Sequence, residues 1–171
     1  DATFAKAVAT GAFTDPAIPS GYAPFGIQAI GGLIYVSYAR QDAQASNALA
    51  GAGLGALDAF DTAGHLVSRL VAPGGALNAP WGMAMAPGDF GQFSNALLVA
   101  NTGDGTISAL DPATGAVKGT LSTPAGAPIT IDGLRGIAFG NGLNNQPRNT
   151  LFFAAGPGAG AHGVYGRIDV R

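Results

Sequence analysis

The 171-residue chain has no cysteine and no glutamate, and only 11% of its residues are charged. Without cysteine there are no disulfides, no thiolate nucleophile, no cysteine-ligated zinc and no iron–sulfur cluster. With aspartate as the only carboxylate and two histidines, general acids and bases are scarce. An EF-hand is excluded too, because its calcium loop closes on a bidentate glutamate. Eight basic and ten acidic residues leave a net charge of −2. No run of Lys or Arg offers a footprint for nucleic acid or an anionic membrane surface. The longest mostly apolar stretch is far short of a membrane span. The chain opens on Asp1 with neither a basic n-region nor an apolar h-region before it, which reads as a start that is processed, trimmed or simply not the gene's own.

What is present is glycine, 28 of it, with 11 prolines and 47% apolar residues. Apolar content at low charge argues against disorder, and frequent glycine suits an all-β chain with tight turns. Three segments repeat one another: Pro24-Phe25-Gly26-Ile27, Pro80-Trp81-Gly82-Met83 and Leu134-Arg135-Gly136-Ile137. Each is followed by an apolar run and then a glycine-led strand ending in Asp61, Asp111 or Asp169. Gly26 and Gly82 are 56 positions apart, Gly82 and Gly136 are 54 apart. A period near fifty with about four short strands per unit predicts β-propeller blades.

The expected organisation is one propeller segment over 1–171. Residues 4–9 form the outer strand of a preceding blade, 24–73 and 78–124 are four-stranded blades, and 132–170 is a blade lacking its fourth strand. Known rings have about four to eight blades, so some three blades are expected to be roughly half of a propeller. The remaining blades come from the same or another chain. Turns at Asp61–Gly64 and Asp111–Gly115 follow from aspartate bonding the backbone two residues on and glycine supplying positive φ.

Inner strands line a propeller's axial channel, and loops at one mouth commonly build its site. The residues placed there are Gln28, Met83 and Ile137, with Tyr22, Asn78 and Asp132 just upstream. Asp132 and Arg135 either clamp a polar ligand or form a surface ion pair worth under about 1 kcal/mol. Trp81, the sole tryptophan, either stacks on a planar ligand or packs between blades. His65 falls in an exposed turn. His162, with Asp42 or Asp104, is the only metal-ligand set to weigh, and no HxxxH or HExxH spacing accompanies it. No cofactor is called for, with calcium left open. Gly51-Ala52-Gly53-Leu54-Gly55 lacks the following helix that a phosphate loop needs and reads as a flexible loop. No G-x-S-x-G elbow is present.

Longer stretches resemble one family. They include Gly21-Tyr22-Ala23-Pro24-Phe25, Ile30-Gly31-Gly32-Leu33-Ile34-Tyr35-Val36, Leu77-Asn78-Ala79-Pro80-Trp81-Gly82, Gly103-Asp104-Gly105-Thr106-Ile107 and Ile131-Asp132-Gly133-Leu134. The chain is similar to an exported bacterial β-propeller family related to NHL-type propellers and associated with PEP-CTERM sorting systems. The resemblance implies a six-bladed ring about twice this length, of which these residues are the C-terminal half. It also implies export to the periplasm, cell surface or medium, and no assigned catalytic residues. Arg135 departs from it, since an aromatic is expected where Trp81 stands in the preceding unit.

The sequence therefore leads to a non-enzymatic binding or structural module in an extracellular or cell-envelope assembly, without nucleic acid and without a transmembrane segment. Two alternatives stand beside it. One is a lactonase- or lyase-type enzyme whose channel-mouth site is completed by residues outside this chain. The other is a carbohydrate-binding propeller using Trp81 and Tyr22.

Overall fold

A computed structural model describes residues 11–170. The strand expected over 4–9 lies outside them. Every regular element but one is a β-strand, and the strands form three antiparallel sheets. The first sheet contains β1 (Tyr22–Ile30), β2 (Leu33–Arg40), β3 (Gly55–Phe60) and β4 (Leu66–Val71), in that spatial order. The second contains β5 (Pro80–Met85), β6 (Leu97–Asn101), β7 (Ile107–Leu110) and β8 (Val117–Thr120), again in sequence order. The third has β9 (Leu134–Phe139), β10 (Thr150–Ala155) and β11 (Val164–Asp169). One 3-10 turn, Gly91–Phe93, sits in the long connection between β5 and β6.

Simple meanders follow from the turn chemistry. Asp61 Oδ1 accepts from the Ala63 and His65 amides, both at 2.9 Å, and Asp111 Oδ1 does the same for Ala113 and Thr114 at 3.0 Å. Gly115 closes the second turn at φ 72°, a conformation that costs a residue with a Cβ far more than it costs glycine. Sequence reading placed the first inner strand at Gly26. It begins four residues earlier, at Tyr22, and passes through a bulge between Pro24 and Gly26. Proline has no amide to give the ladder, so a register break beside Pro24 is the form in which that strand continues.

The sheets stack face to face, with β5 against β1 and β9 against β5. Tyr35, Leu57 and Ala59 of the first sheet meet Met83, Leu97 and Val99 of the second. Leu98, Ala100, Ile107 and Ala109, on the second sheet's other face, meet Leu134, Ile137 and Leu151 of the third. Alternation along each central strand thus feeds two different cores, because successive side chains point to opposite faces. A middle sheet covered on both faces reads as a near-continuous apolar run, and Leu97–Ala100 is fully buried.

Glycine sets how closely the sheets approach. A Cβ on Gly26 would lie 2.3 Å from the Trp81 carbonyl oxygen, and one on Gly82 would lie 2.4 Å from that of Arg135. Ser37 ties the first pair of sheets by donating to the Pro80 carbonyl at 2.7 Å. The sequence repeat at these glycines is therefore a packing requirement. Each first strand must be bare where the next sheet's backbone crosses it.

On its other side, the first sheet carries a third cluster of Val36, Tyr38, Ala56 and Phe60. The segment 11–21 covers it, with the Phe13 ring 5.6 Å from that of Phe60. Beside the far edge of β11 lies a cleft of about 610 Å³ lined by Phe90, Phe93, Leu121, Ile129 and Ile168 among others. Among the described residues β11 has no fourth strand beyond it.

Candidate functional site

The residues just before the three inner-strand glycines form a stack. Phe25 and Trp81 lie 4.8 Å apart, centroid to centroid, with their planes tilted by 57°. The Arg135 guanidinium carbon lies 5.1 Å from the Trp81 ring centroid, a cation–π geometry. One residue from each sheet thus contributes to a ladder across the strand starts. Trp81 is half-buried in it and Arg135 is exposed. Arg135 occupies the place where the resemblance led us to expect an aromatic. Its guanidinium packs over the Trp81 ring as an aromatic would and keeps N–H donors around its rim.

The polar groups expected at a channel mouth are held by the protein itself. Asn78 is nearly buried; its Oδ1 accepts from the Gly51 amide at 2.7 Å and its Nδ2 donates to Asp104 at 2.9 Å. Its own amide donates to Asn101 Oδ1 at 3.1 Å. Asn78 is therefore a brace between the loops of two sheets. It also explains Gly51–Gly55. That loop, expected to be free, is pinned by Asn78 at Gly51 and by the Gly74 amide on the Gly53 carbonyl at 2.8 Å. Tyr22 donates its hydroxyl to the Gly53 carbonyl at 3.4 Å. Asp132 accepts from the Gly158 amide at 3.1 Å, so it braces the β10–β11 loop. No ion pair joins it to Arg135 among the described residues.

Gln28, Met83 and Ile137 do converge. With Ile30, Met85 and Phe139 they line a hollow of about 210 Å³ between the first strands. Counted from the glycines, however, the true equivalent of Met83 and Ile137 is Ile27 rather than Gln28.

The residues weighed for a metal are spent locally. Asp42 accepts from the Ser46 amide and the Asn47 side chain, at 2.8 and 2.9 Å, and these bonds hold its carboxyl below the usual range. Asp104 accepts from the Thr106 amide at 3.0 Å and the Thr106 hydroxyl at 2.7 Å. His162 is exposed, and no group of three potential ligands gathers among the described residues. His65, at the exposed turn, meets Asp61 through Nδ1 at 2.9 Å.

Sequence reading missed a charged cluster behind the first sheet. Asp15, on the covering segment, accepts from Arg69 Nε of β4 at 2.8 Å and also from Nη2. Asp58 of β3 is fully buried, neither of its oxygens has a hydrogen-bond partner, and Arg69 Nε lies 3.7 Å away. Burial, then the negative charge of Asp15, pushes the Asp58 carboxyl up to about 7. For Asp15 burial acts in the same direction, but the Arg69 hydrogen bond, the Ala17 amide and the Arg69 charge more than offset it, and its pKa is lowered. Tyr38 faces the same cluster, and burial followed by the charge of Asp58 raises its hydroxyl pKa. The sequence signal was an aspartate inside the apolar strand Gly-Ala-Leu-Asp-Ala-Phe.

Comparison with known proteins gives relatives without an assigned role. An uncharacterized protein of Acanthamoeba polyphaga mimivirus is 38% identical over 156 residues, 91% of this chain and 37% of its own length. A second uncharacterized protein of the same virus is 37% identical over 126 residues, covering 73% of this chain and 33% of its own length. The chain thus spans about a third of the relatives it matches. No protein-family model matches it. Among solved structures, selenomethionine-substituted virginiamycin B lyase from Staphylococcus aureus aligns over 92% of this chain and 44% of its own, at 16% identity and a TM-score of 0.38. A catalytically inactive form of that lyase with quinupristin aligns over 88% and 56%, at 11% identity and a TM-score of 0.40.

Proposed function

We propose that the protein is a propeller-type recognition module, non-enzymatic and exported, that binds a polar or acidic partner within an extracellular or envelope assembly. The observation that carries this reading is the Phe25–Trp81–Arg135 ladder, with one rung from each sheet. The Trp81 ring packs against the guanidinium, its centroid 5.1 Å from the central carbon, so less side-chain freedom is lost when Arg135 engages a carboxylate or vicinal hydroxyls. The surrounding polar side chains, Asn78, Asp132 and Tyr22, already hold loops in place. That favours a rigid rim over a proton-transfer centre. In this reading the three sheets are blades of a six-bladed ring whose inner strands face the axis.

Trp81 is the only tryptophan and so reports directly on the ladder. Titration with acidic oligosaccharides is expected to change its fluorescence, while neutral oligosaccharides of equal length change it less. Arg135→Ala is expected to weaken acidic-ligand binding by about tenfold or more, the loss of one charge-assisted contact. Fluorescence that answers neutral and acidic sugars alike, with Arg135→Ala unaffected, would exclude the ladder as the recognition element.

A further inference from the structure

The back of the first sheet holds a charge imbalance out of water. The Asp58 side chain of β3 is fully buried and that of Asp15, on the segment 11–21, nearly so. Both face the one guanidinium of Arg69 on β4, and Tyr38 of β2 faces the same cluster. Among the described residues these are the charged and titratable groups that bear on Asp58. Arg69 is engaged by Asp15, which accepts from its Nε at 2.8 Å and also from its Nη2. Asp58 has only Nε at 3.7 Å, outside hydrogen-bond range, and neither of its oxygens has a partner.

Two ionised carboxylates here would leave one negative charge uncompensated, and a buried charge without donors is strongly unfavourable. A proton is the remedy the cluster itself offers. It turns Asp58 from an unserved acceptor into a donor, and the Asp15 carboxylate beside it is an acceptor. The segment 11–21 is the part of this arrangement able to yield. Asp58 and Arg69 pair with each other in the β3–β4 ladder. Asp15 is held by Arg69, by the Phe13 ring on Phe60 and by the Phe13 amide, which donates to the Gly64 carbonyl at 2.8 Å. Beneath the segment lies the apolar cluster of Val36, Tyr38, Ala56 and Phe60, against which its Ile18 packs.

We infer that the segment 11–21 is a pH-controlled cover, seated while Asp15 and Asp58 hold one proton between them and lifting as Asp58 ionises. The inference concerns the back of the first sheet and is independent of what the ladder binds. Lifting admits water to Asp58 and returns it to the ordinary carboxylate value of 3.8, whereas in the seated state it titrates at about 7. The seated state therefore binds the proton more tightly, and lifting releases it. The lifted fraction should grow about tenfold per pH unit between those two values and level off above the higher. Burial raises the Asp15 value, but Arg69 and the Ala17 amide more than offset this, so protonation of Asp15 loosens the cover only below 3.8.

Hydrogen exchange resolved by residue from pH 5 to 7 tests it, each rate divided by the intrinsic rate of that amide at that pH. The Phe13 amide, bonded to Gly64, and the Ala17 amide, bonded to Asp15, read the lifting; those of Leu98 and Val99 on β6 read global unfolding. In the parent, Phe13 and Ala17 should open more readily than β6, and about tenfold more for each pH unit. Asp58→Asn keeps the shape of the side chain without its titration and should abolish that dependence. Asp15→Asn removes the repelling charge and frees Arg69 for Asp58, so it should flatten the rise as well, and it serves if Asp58→Asn does not fold. Opening that is independent of pH in the parent overturns the inference. So does a rise that either variant retains, or opening of Phe13 and Ala17 only together with β6.

Discussion

Replacing Arg69 by methionine is expected to cost about 3–5 kcal/mol at pH 7, the loss typical when one member of a buried ion cluster is removed. Methionine keeps most of the side-chain volume, so the loss reports on charge. Arg69 serves two carboxylates: the Asp15 side chain is 2% exposed and that of Asp58 is fully buried. Without the guanidinium, Asp15 has the Ala17 amide at 2.9 Å as its remaining donor. The segment 11–21 is held to the first sheet through this pair and through Phe13 on Phe60. The same substitution should therefore expose that segment to protease before the sheets unfold. Urea denaturation at pH 7 and pH 4 checks the account. The cost should shrink in acid, where protonation relieves the stranded carboxylates. A loss equal at both pH values would mean that packing and not charge is at stake.

The second large effect is a dependence of stability on pH that runs opposite to the usual carboxylate case. Asp58 has a folded pKa of about 7 against an ordinary value of 3.8. The folded protein thus holds this proton more tightly than the unfolded chain does. Its contribution to stability is complete below pH 3.8 and is lost as pH rises through about 7. Asp15 works in the ordinary sense. Its lowered pKa contributes stability above 3.8 that disappears as pH falls below that value. Together they place the stability maximum in mild acid, between the two titrations. Asp58→Asn should remove the decline toward pH 8 and leave the acid limb in place. Urea midpoints from pH 2 to 8 for parent and variant measure this; parallel curves would contradict it.

The repeated strands were legible because three signals agree: the glycine spacing, the apolar alternation and the aspartate–glycine turns. Each reflects a local cause that the structure retains, such as Asp111 bonding its own turn or Gly82 making room for Arg135. The start of β1 was not legible, since Pro24 normally ends a ladder and here continues through a bulge. Site residues were harder for a physical reason. Asn78, Asp132 and Tyr22 bond groups of loops about 23 to 31 positions away in sequence, and no local pattern encodes those bonds. The partnership of Asp15 with Arg69 spans 54 positions and leaves only the misplaced-looking Asp58 as a trace. Phe25 was within reach, because it stands one residue before its glycine, as Trp81 and Arg135 do.

Successive sheets meet backbone to backbone at Gly26 and Gly82. Valine placed in turn at Gly26, Gly82 and Gly136 tests this directly, with stability measured by urea denaturation. The first two substitutions should each cost about 1–3 kcal/mol or more, as overpacking against a backbone does, while the third leaves stability unchanged. Equal costs at all three positions, or none at Gly26 and Gly82, would contradict it.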